Sequence, residues 1–366
     1  MSGEARRGDR AVLVGGFLAA LALRAFFAAA QKENFDLGSF EIVAGIVDHG
    51  GNVYAETRRY NYAPVWAYLL WTIGKAGAVF GMPLARAVTA FLFAVDAASA
   101  WLIFRILRSR GAAGPRAGFG ALLFFSNPLS VFISSYLAMF DDVALLLLLV
   151  SVDAMVREPV QKARAVLGMT GSILVKHVAW FHPLLLARRK PPRVSLIASL
   201  VPYAVFLASL APFWASRNRI RAQIFGYESM GEPYGTEALR FWRYMPVWGT
   251  RALCVAAALA CVVWVRQRDV AFDRACLLLF LVLLIFLPGI APYYFIWPVA
   301  FGALYPSAVY AVYTGMVTLF LIHSPDAMGV ELPHLPGWSG PWWSLVFWFL
   351  WEVRSLSKAR AAIPTR

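Results

Sequence analysis

Long apolar runs separated by short polar connections dominate the sequence from end to end. A helix needs about 20 apolar residues to cross a hydrocarbon core of about 30 Å, and AVLVGGFLAALALRAFFAAA at 11–30 is long enough. The many later runs disfavour a removable signal peptide as the explanation of this first run. The pattern predicts about twelve membrane spans, near 11–31, 84–107, 117–134, 141–156, 165–180, 181–188, 194–213, 249–265, 272–290, 293–305, 306–323 and 342–354.

Composition and charge narrow the class of protein. Of the 366 residues, 60% are hydrophobic and only 15% are charged. A soluble domain of this length cannot bury so much apolar surface, so lipid must be the solvent for most of it. We therefore predict an all-α polytopic membrane protein, with 1–366 forming a single integral membrane domain.

The net charge of +14 is concentrated in the connections, six of which hold 21 of the 34 Lys and Arg residues. With twelve spans, all six lie on one side, which the positive-inside rule assigns to the cytoplasm together with both termini. This distribution disfavours nucleic acid as a partner. Few acidic residues together with abundant Ala, Arg and Gly indicate a prokaryotic plasma membrane.

The same topology leaves two long extracytoplasmic loops, 32–83 and 214–248. Within the first loop, 62–80 is rich in Trp and Tyr, and we expect an interfacial helix there, from which Lys75 reaches water. External loops packed on a helical bundle are where a membrane enzyme would build a site.

An acidic segment, ENFDLGSFE at 33–41, follows the first apolar run. The overlapping stretch FEIVAGIVDHGG has apolar residues at helical spacing and is expected to form a short helix that ends at Gly50-Gly51. Asp36 is expected just before that helix. A carboxylate that is partly desolvated at the membrane surface suits a general base, and the alternative is a solvated acid that caps the helix.

Basic residues in the two external loops run against the topological trend. Arginine forks match phosphate oxygens, which indicates a phosphorylated, lipid-linked partner, although contact with anionic lipid headgroups would use the same chemistry. These residues are Arg58, Arg59, Arg217, Arg219, Arg221, Arg240 and Arg243.

Ionisable residues in or beside the predicted spans form a further group, because charge buried in a membrane is costly and usually functional. Lys176 either contacts a phosphate or neutralises Asp141. The aromatic segments 226–242 and 291–301 suit either an interfacial belt or the stacking of sugars. The members of the ionisable group are Asp96, Asp141, Asp142, Asp153, Lys176 and His177.

The motifs of several common catalytic classes are missing, since no HExxH pattern and no Walker loop occur. The cysteines lie in apolar runs, where small core- or lipid-facing residues are expected, and we expect neither a metal nor a cofactor. The cysteines are Cys254, Cys261 and Cys276.

Several segments occur in a recognisable order: the acid after the first span, GGNVYAETRRYNYAPVWAYLL, SNPLSVFISSYLAMFDDVALLLL, LVKHVAWFHPLLL, IFGYESMGEPYG and PYYFIWPVAF. The series resembles the GT-C glycosyltransferase superfamily, specifically its polyprenyl-phosphate-sugar-dependent mannosyltransferases. The resemblance implies a GT-C-like bundle. Two departures are that Ala138-Met139 stands where relatives often have Gly-Gln or Gly-Asn, and that a single aspartate stands where some have D-x-D.

Carried onto matching positions, the resemblance implies that Asp36 is the catalytic base. It implies a polyprenyl-phosphate-sugar donor, a lipid- or glycan-linked acceptor and membrane lipid as partners. Donor-phosphate contacts are expected at Lys176, His177, Arg58, Arg59, Arg217, Arg219 and Arg221. Substrate contacts are expected at Glu41, Tyr60, Tyr62, Asp141, Asp142, Tyr227, Glu228, Tyr293 and Tyr294.

The implied reaction is an inverting transfer of a hexose at the extracytoplasmic face, with mannose favoured by the resemblance and glucose or arabinose left open. The main alternative is a flippase or secondary transporter of a lipid-linked saccharide, although no paired halves with matching helix breaks are evident. A non-catalytic membrane scaffold is the third reading.

Overall fold

The structure, a computed structural model, describes residues 3–188, 192–227, 247–287, 289–323 and 340–361. All regular structure in these ranges is helical, as the apolar pattern predicts. The chain divides into two compact units, 1–228 and 229–366, and each is described by itself. A single domain over the whole chain stays a prediction.

Long apolar helices alternate with short connecting ones. In unit 1 the α-helices are α1 (Gly3–Ala29), α2 (Phe35–Asp48), α3 (Val53–Glu56), α4 (Pro64–Val79), α5 (Leu84–Ser109), α6 (Gly114–Phe125), α7 (Pro128–Ser130), α8 (Asp141–Val156), α9 (Lys162–Val175), α10 (Pro192–Ser209) and α11 (Arg217–Ile220). Tighter or wider helical turns extend them at Val131–Tyr136, His177–Ala179, His182–Arg188, Ala211–Ser216 and Arg221–Phe225. In unit 2 they are α12 (Val247–Gln267), α13 (Phe272–Phe286), α14 (Val299–Gly302), α15 (Ala308–His323) and α16 (Gly340–Ala361), with a 3₁₀ turn at Pro292–Ile296.

Three helices in the described ranges are long and apolar enough to cross a membrane, or five if each of two bent helix pairs counts as one span. The predicted count of twelve is therefore not confirmed. Length is the reason, because α8, α9 and α13 have only 16, 14 and 15 residues. At 1.5 Å per residue, 16 residues reach about 24 Å, short of a hydrocarbon core of roughly 30 Å. The three helices are Ala11–Ala29, Leu84–Ser109 and Trp248–Gln267.

The residues after α1 form a capped helix. Asn34 is the N-cap of α2, and its Oδ1 accepts a hydrogen bond from the backbone N–H of Leu37 at 2.9 Å. Gly50, at φ +74°, lets the chain leave the helix in a conformation that favours glycine, so the predicted end is confirmed. The predicted start is wrong, because Asp36 lies in the first turn of α2 and not before it. The side-chain cap of Asn34 starts the helix earlier than the apolar spacing indicated.

Helical structure in unit 1 is interrupted at two places, and a charged residue lies at or directly after each interruption. Pro128 starts the helical segment after α6, and the segments Gly114–Phe125 and Pro128–Tyr136 are bent by 41° relative to each other. Ala138 then adopts φ +54°, in the left-handed region that residues with a Cβ usually avoid, and α8 begins with Asp141. The second interruption follows α9, where Lys176 is extended at φ −153° and ψ 129°.

Unit 2 is built around α13, most of whose residues are buried. An ion pair between Arg274 and Glu352, with a nitrogen–oxygen distance of 2.7 Å, joins α13 to α16. All three cysteines are free and buried, which confirms the expectation of small residues in apolar surroundings: Cys254, Cys261 and Cys276.

Candidate active site

An aromatic cluster joins the first loop to the turn before α8. The rings of Trp66 in α4 and Phe140 are stacked, with centroids 3.8 Å apart and planes within 10°. Phe40 of α2 packs edge-on against both, at 5.8 and 5.7 Å, and Tyr62 meets Phe140 edge-on at 4.9 Å. The cluster therefore packs α2, α4 and the start of α8 together around the ring of Phe140.

The described part of the second loop lies against the first loop. The side-chain amide of Asn52 donates to Oγ of Ser216 at 3.2 Å. The side-chain amide of Gln223 donates to the backbone carbonyl of Thr57 at 3.0 Å. Polar residues from both loops are thus neighbours within unit 1, although they are far apart in sequence.

Asp36 has properties that suit a general base. Its side chain is half-buried, and its carboxylate has no hydrogen-bond or ion-pair partner among the described residues. Burial raises the pKa of Asp36, and although the nearby ammonium of Lys176 acts in the opposite direction, the effect of burial is larger. The first turn of α2 adds a positive helix-dipole field, which favours a carboxylate at this position.

Lys176 lies buried beside Asp36 and is paired with another carboxylate. Its side chain is 3% exposed, and its Nζ lies 2.6 Å from Oδ2 of the fully buried Asp141. The same Nζ lies 4.8 Å from the ring centroid of Phe140 and 5.5 Å from that of Tyr62. Of the two roles that the sequence leaves open, neutralisation of Asp141 is the one that the structure shows.

His177 and Asp142 adjoin this pair in sequence. The ring of His177 lies 6.2 Å from that of Tyr62, and its Nδ1 has no hydrogen-bond partner in the part of the chain that the structure describes. Asp142 is completely buried, which leaves it no exposed atom for contact with a substrate in this conformation.

A second buried ion pair, which the sequence analysis did not identify, joins α1 to α5. Arg24 and Asp96 are both completely buried, and the guanidinium donates to the carboxylate. It also donates to the hydroxyls of Ser130 and Ser134 at 2.6 and 2.9 Å. An arginine deep in the first apolar run was the available signal, because a charge at membrane depth needs a partner.

The loop arginines divide into two groups. Arg59 lies over the ring of Phe35, with Cζ 4.4 Å from the centroid, so its guanidinium is beside the first turn of α2. Arg219 donates to the backbone carbonyl of Ala55 and ties the loops together. The remaining described members are exposed and have no acidic partner among the described residues: Arg58, Arg217 and Arg221.

The other predicted substrate-binding residues have varied surroundings. Tyr60 is buried, and its hydroxyl donates to the carbonyl of Ala63 and accepts from the N–H of Ala67, so it stabilises the start of α4. Glu41 and Tyr227 are exposed in unit 1, and Tyr293 and Tyr294 belong to unit 2. Three predicted residues lie outside the described residues: Glu228, Arg240 and Arg243.

Together, fold and site define an all-helical protein that has helices suited to a membrane and a buried polar cluster around Asp36, Lys176 and Asp141. Within the described ranges, no three His, Cys, Asp or Glu residues are grouped so as to hold a metal ion. No protein-family profile matches the chain, and no curated protein is significantly similar to it.

Proposed function

We propose that this protein is an inverting glycosyltransferase that moves a hexose from a polyprenyl-phosphate donor to a lipid- or glycan-linked acceptor, at the extracytoplasmic face of a prokaryotic plasma membrane. The supporting observation is the state of Asp36, a half-buried carboxylate with a raised pKa and no described partner. Polar groups removed from water are normally hydrogen-bonded. A general base instead needs a free lone pair and a pKa moved towards the working pH.

In the proposed reaction, the acceptor hydroxyl oxygen attacks the anomeric carbon of the donor sugar while Asp36 takes the hydroxyl proton. The new carbon–oxygen bond forms on the face opposite the phosphate, so the anomeric configuration inverts. The bond between the anomeric carbon and the phosphate oxygen breaks, and its electron pair leaves with polyprenyl phosphate. Asp36 then releases its proton to water.

Cations near Asp36 suit the negative charge that develops on the leaving phosphate. Lys176 donates to Asp141, and its positive charge acts on Asp36. Arg59 lies beside the first turn of α2, and its planar fork matches phosphate geometry. Charges that are already positioned where the transition state gains charge lower the barrier without further reorganisation.

The test is transfer by purified protein in proteoliposomes that contain radiolabelled polyprenyl-phosphate mannose and a membrane glycolipid extract as acceptor, with glucose and arabinose donors in parallel. Asp36→Asn should lower transfer by about 10²–10⁴-fold, the usual contribution of general-base catalysis. The matched control is Glu33→Gln, which removes an exposed carboxylate from the same segment and should retain transfer. Wild-type rates in Asp36→Asn would refute the assignment of the base.

Transport of a lipid-linked saccharide is the second candidate, and the bent helices favour it. One helix pair bends by 41° and another, formed by α10 and its continuation, by 61°. Discontinuous helices line the sites of secondary transporters. The same proteoliposomes separate the two functions: label that moves to an acceptor is transfer, and label that reaches the opposite leaflet on its original carrier is transport.

A further inference from the structure

A large apolar cleft lies among α1, α5 and α6. Its volume is about 1030 Å³, at the upper end of the roughly 300–1,000 Å³ found for small-molecule sites. On α1 it is lined by Leu13 and Phe17, whereas Asp36 follows the other end of that helix. At 1.5 Å per residue, the stretch from Leu13 to Ala29 measures about 24 Å. The cleft is therefore separate from the candidate active site.

Three arginines from three parts of unit 1 surround one buried carboxylate near this cleft. Oδ2 of Asp153, which is 1% exposed, lies 3.3 Å from Arg105, 3.1 Å from Arg157 and 3.3 Å from Arg164. Three positive charges and one negative charge leave the cluster with an excess of two. The arginine side chains remain 25%, 33% and 36% exposed, so a ligand can reach them.

Helix α5 connects the cleft to the arginine cluster. Trp101 and Arg108 line the cleft, and Cζ of Arg105 lies 4.3 Å from the ring centroid of Trp101. Residues three and four apart lie on one face of a helix, so these three side chains form a continuous strip. A molecule with its apolar part in the cleft would have its other end beside the guanidinium groups.

We propose that the cleft and the arginine cluster together bind an anionic phospholipid, with an acyl chain in the cleft and the phosphodiester at Arg105, Arg157 and Arg164. The apolar lining selects a hydrocarbon chain, and the excess positive charge selects an anion. Guanidinium forks match phosphate oxygens, and basic pockets beside membrane helices recognise anionic headgroups. A soluble phosphate would leave the cleft empty, and a zwitterionic lipid would leave the charge uncompensated. The site does not depend on glycosyl transfer.

The test is native mass spectrometry of the delipidated full chain in detergent, titrated with phosphatidylglycerol or phosphatidylcholine. Phosphatidylglycerol should bind at least tenfold more tightly, and Arg164→Gln should weaken it about fivefold, the effect of one cationic side chain at an anionic headgroup. Arg105 and Arg157 still neutralise Asp153 in this variant. The matched control is Arg266→Gln in unit 2, which removes an exposed arginine with no described acidic partner.

A second variant tests the apolar half of the site. Ala97 lines the cleft and is exposed, so Ala97→Phe narrows the cleft without altering a charge and should weaken phosphatidylglycerol binding severalfold. Unchanged binding in Ala97→Phe, equal affinity for phosphatidylcholine, or equal weakening by Arg266→Gln would each overturn the proposal. If Arg164→Gln does not fold, the wild-type protein decides, because phosphatidylglycerol binding that does not weaken with added salt contradicts recognition by the arginines.

Discussion

Replacing Lys176 with methionine tests the energetic role of its ion pair with Asp141. Nζ and Oδ2 are 2.6 Å apart, and both side chains are almost completely buried. At an effective dielectric constant of about 20, two unit charges at this distance attract by on the order of 6 kcal/mol, part of which desolvation offsets. Removing one partner leaves a buried charge uncompensated, so Lys176→Met should lower the free energy of unfolding by about 3–5 kcal/mol.

The double variant Lys176→Met/Asp141→Leu separates loss of the pair from loss of either residue. Two apolar side chains of similar volume often replace a buried ion pair at little cost, so the double variant should unfold within about 1 kcal/mol of the wild type. Denaturant unfolding of the wild type, Lys176→Met, Asp141→Leu and the double variant in detergent micelles, followed by tryptophan fluorescence, gives the four free energies of a double-mutant cycle. The control Arg266→Met, at an exposed site, should change stability by at most about 0.5 kcal/mol.

Two outcomes would refute this reasoning. The first is a Lys176→Met variant as stable as the wild type, and the second is a cycle without coupling between the two positions. The same variants also bear on function, because the Lys176 charge lowers the pKa of Asp36. Lys176→Met should therefore move the acidic limb of the transfer rate to higher pH.

Two more expectations follow from the site. Burial raises the pKa of Asp36, so the proposed base is ionised only at higher pH. The transfer rate should therefore fall with decreasing pH, with a midpoint above the ordinary aspartate pKa of about 3.9. Rates measured from about pH 4 to pH 9 give this midpoint, and a midpoint below the ordinary value refutes the shift. Ala138→Gly should stabilise the protein by up to about 1 kcal/mol. The φ of +54° at Ala138 costs an L-residue roughly 1–2 kcal/mol, and glycine removes this cost. The larger entropy that glycine loses on folding offsets about 0.5–1 kcal/mol of the gain. Ala100→Gly, in the middle of α5, should instead destabilise by about 1 kcal/mol, and denaturant midpoints compare the two.

The raised pKa of Asp36 also determines the direction in which its ionisation changes the free energy of unfolding. A carboxylate whose folded-state pKa is raised contributes stability below its unfolded pKa and loses it as pH rises through the folded value. Ionised Asp36 therefore opposes folding near neutral pH, and the Asp36→Asn variant should be at least as stable as the wild type.

Local pattern was sufficient for the bounds of two long helices. The apolar run predicted at 141–156 is α8 with the same bounds, and the run at 84–107 is α5 with two more residues at its end. Helix position depends on neighbouring residues and on the breaks that flank them, and both are visible in sequence. The start of α2 is also encoded locally, because Asn34 is a good N-cap, whereas apolar spacing alone places the start later.

The count of membrane spans was less secure for a related reason. Apolar content is shared by helices that face lipid and by helices buried inside a protein. The stretch 272–290 reads as a span, yet α13 ends at Phe286 and most of its side chains are buried. Composition alone therefore does not distinguish membrane-crossing helices from helices buried inside a protein.

Sequence alone identified several ionisable residues that need an explanation, because such a side chain in an apolar run is anomalous wherever the chain folds. It singled out Lys176, Asp141 and Asp96 on that ground. Only the tertiary structure decided their partners: Lys176 with Asp141, 35 residues away, and Asp96 with Arg24, 72 residues away. The reason is physical, since partner choice depends on how helices rotate and pack against one another, and no local pattern encodes that geometry.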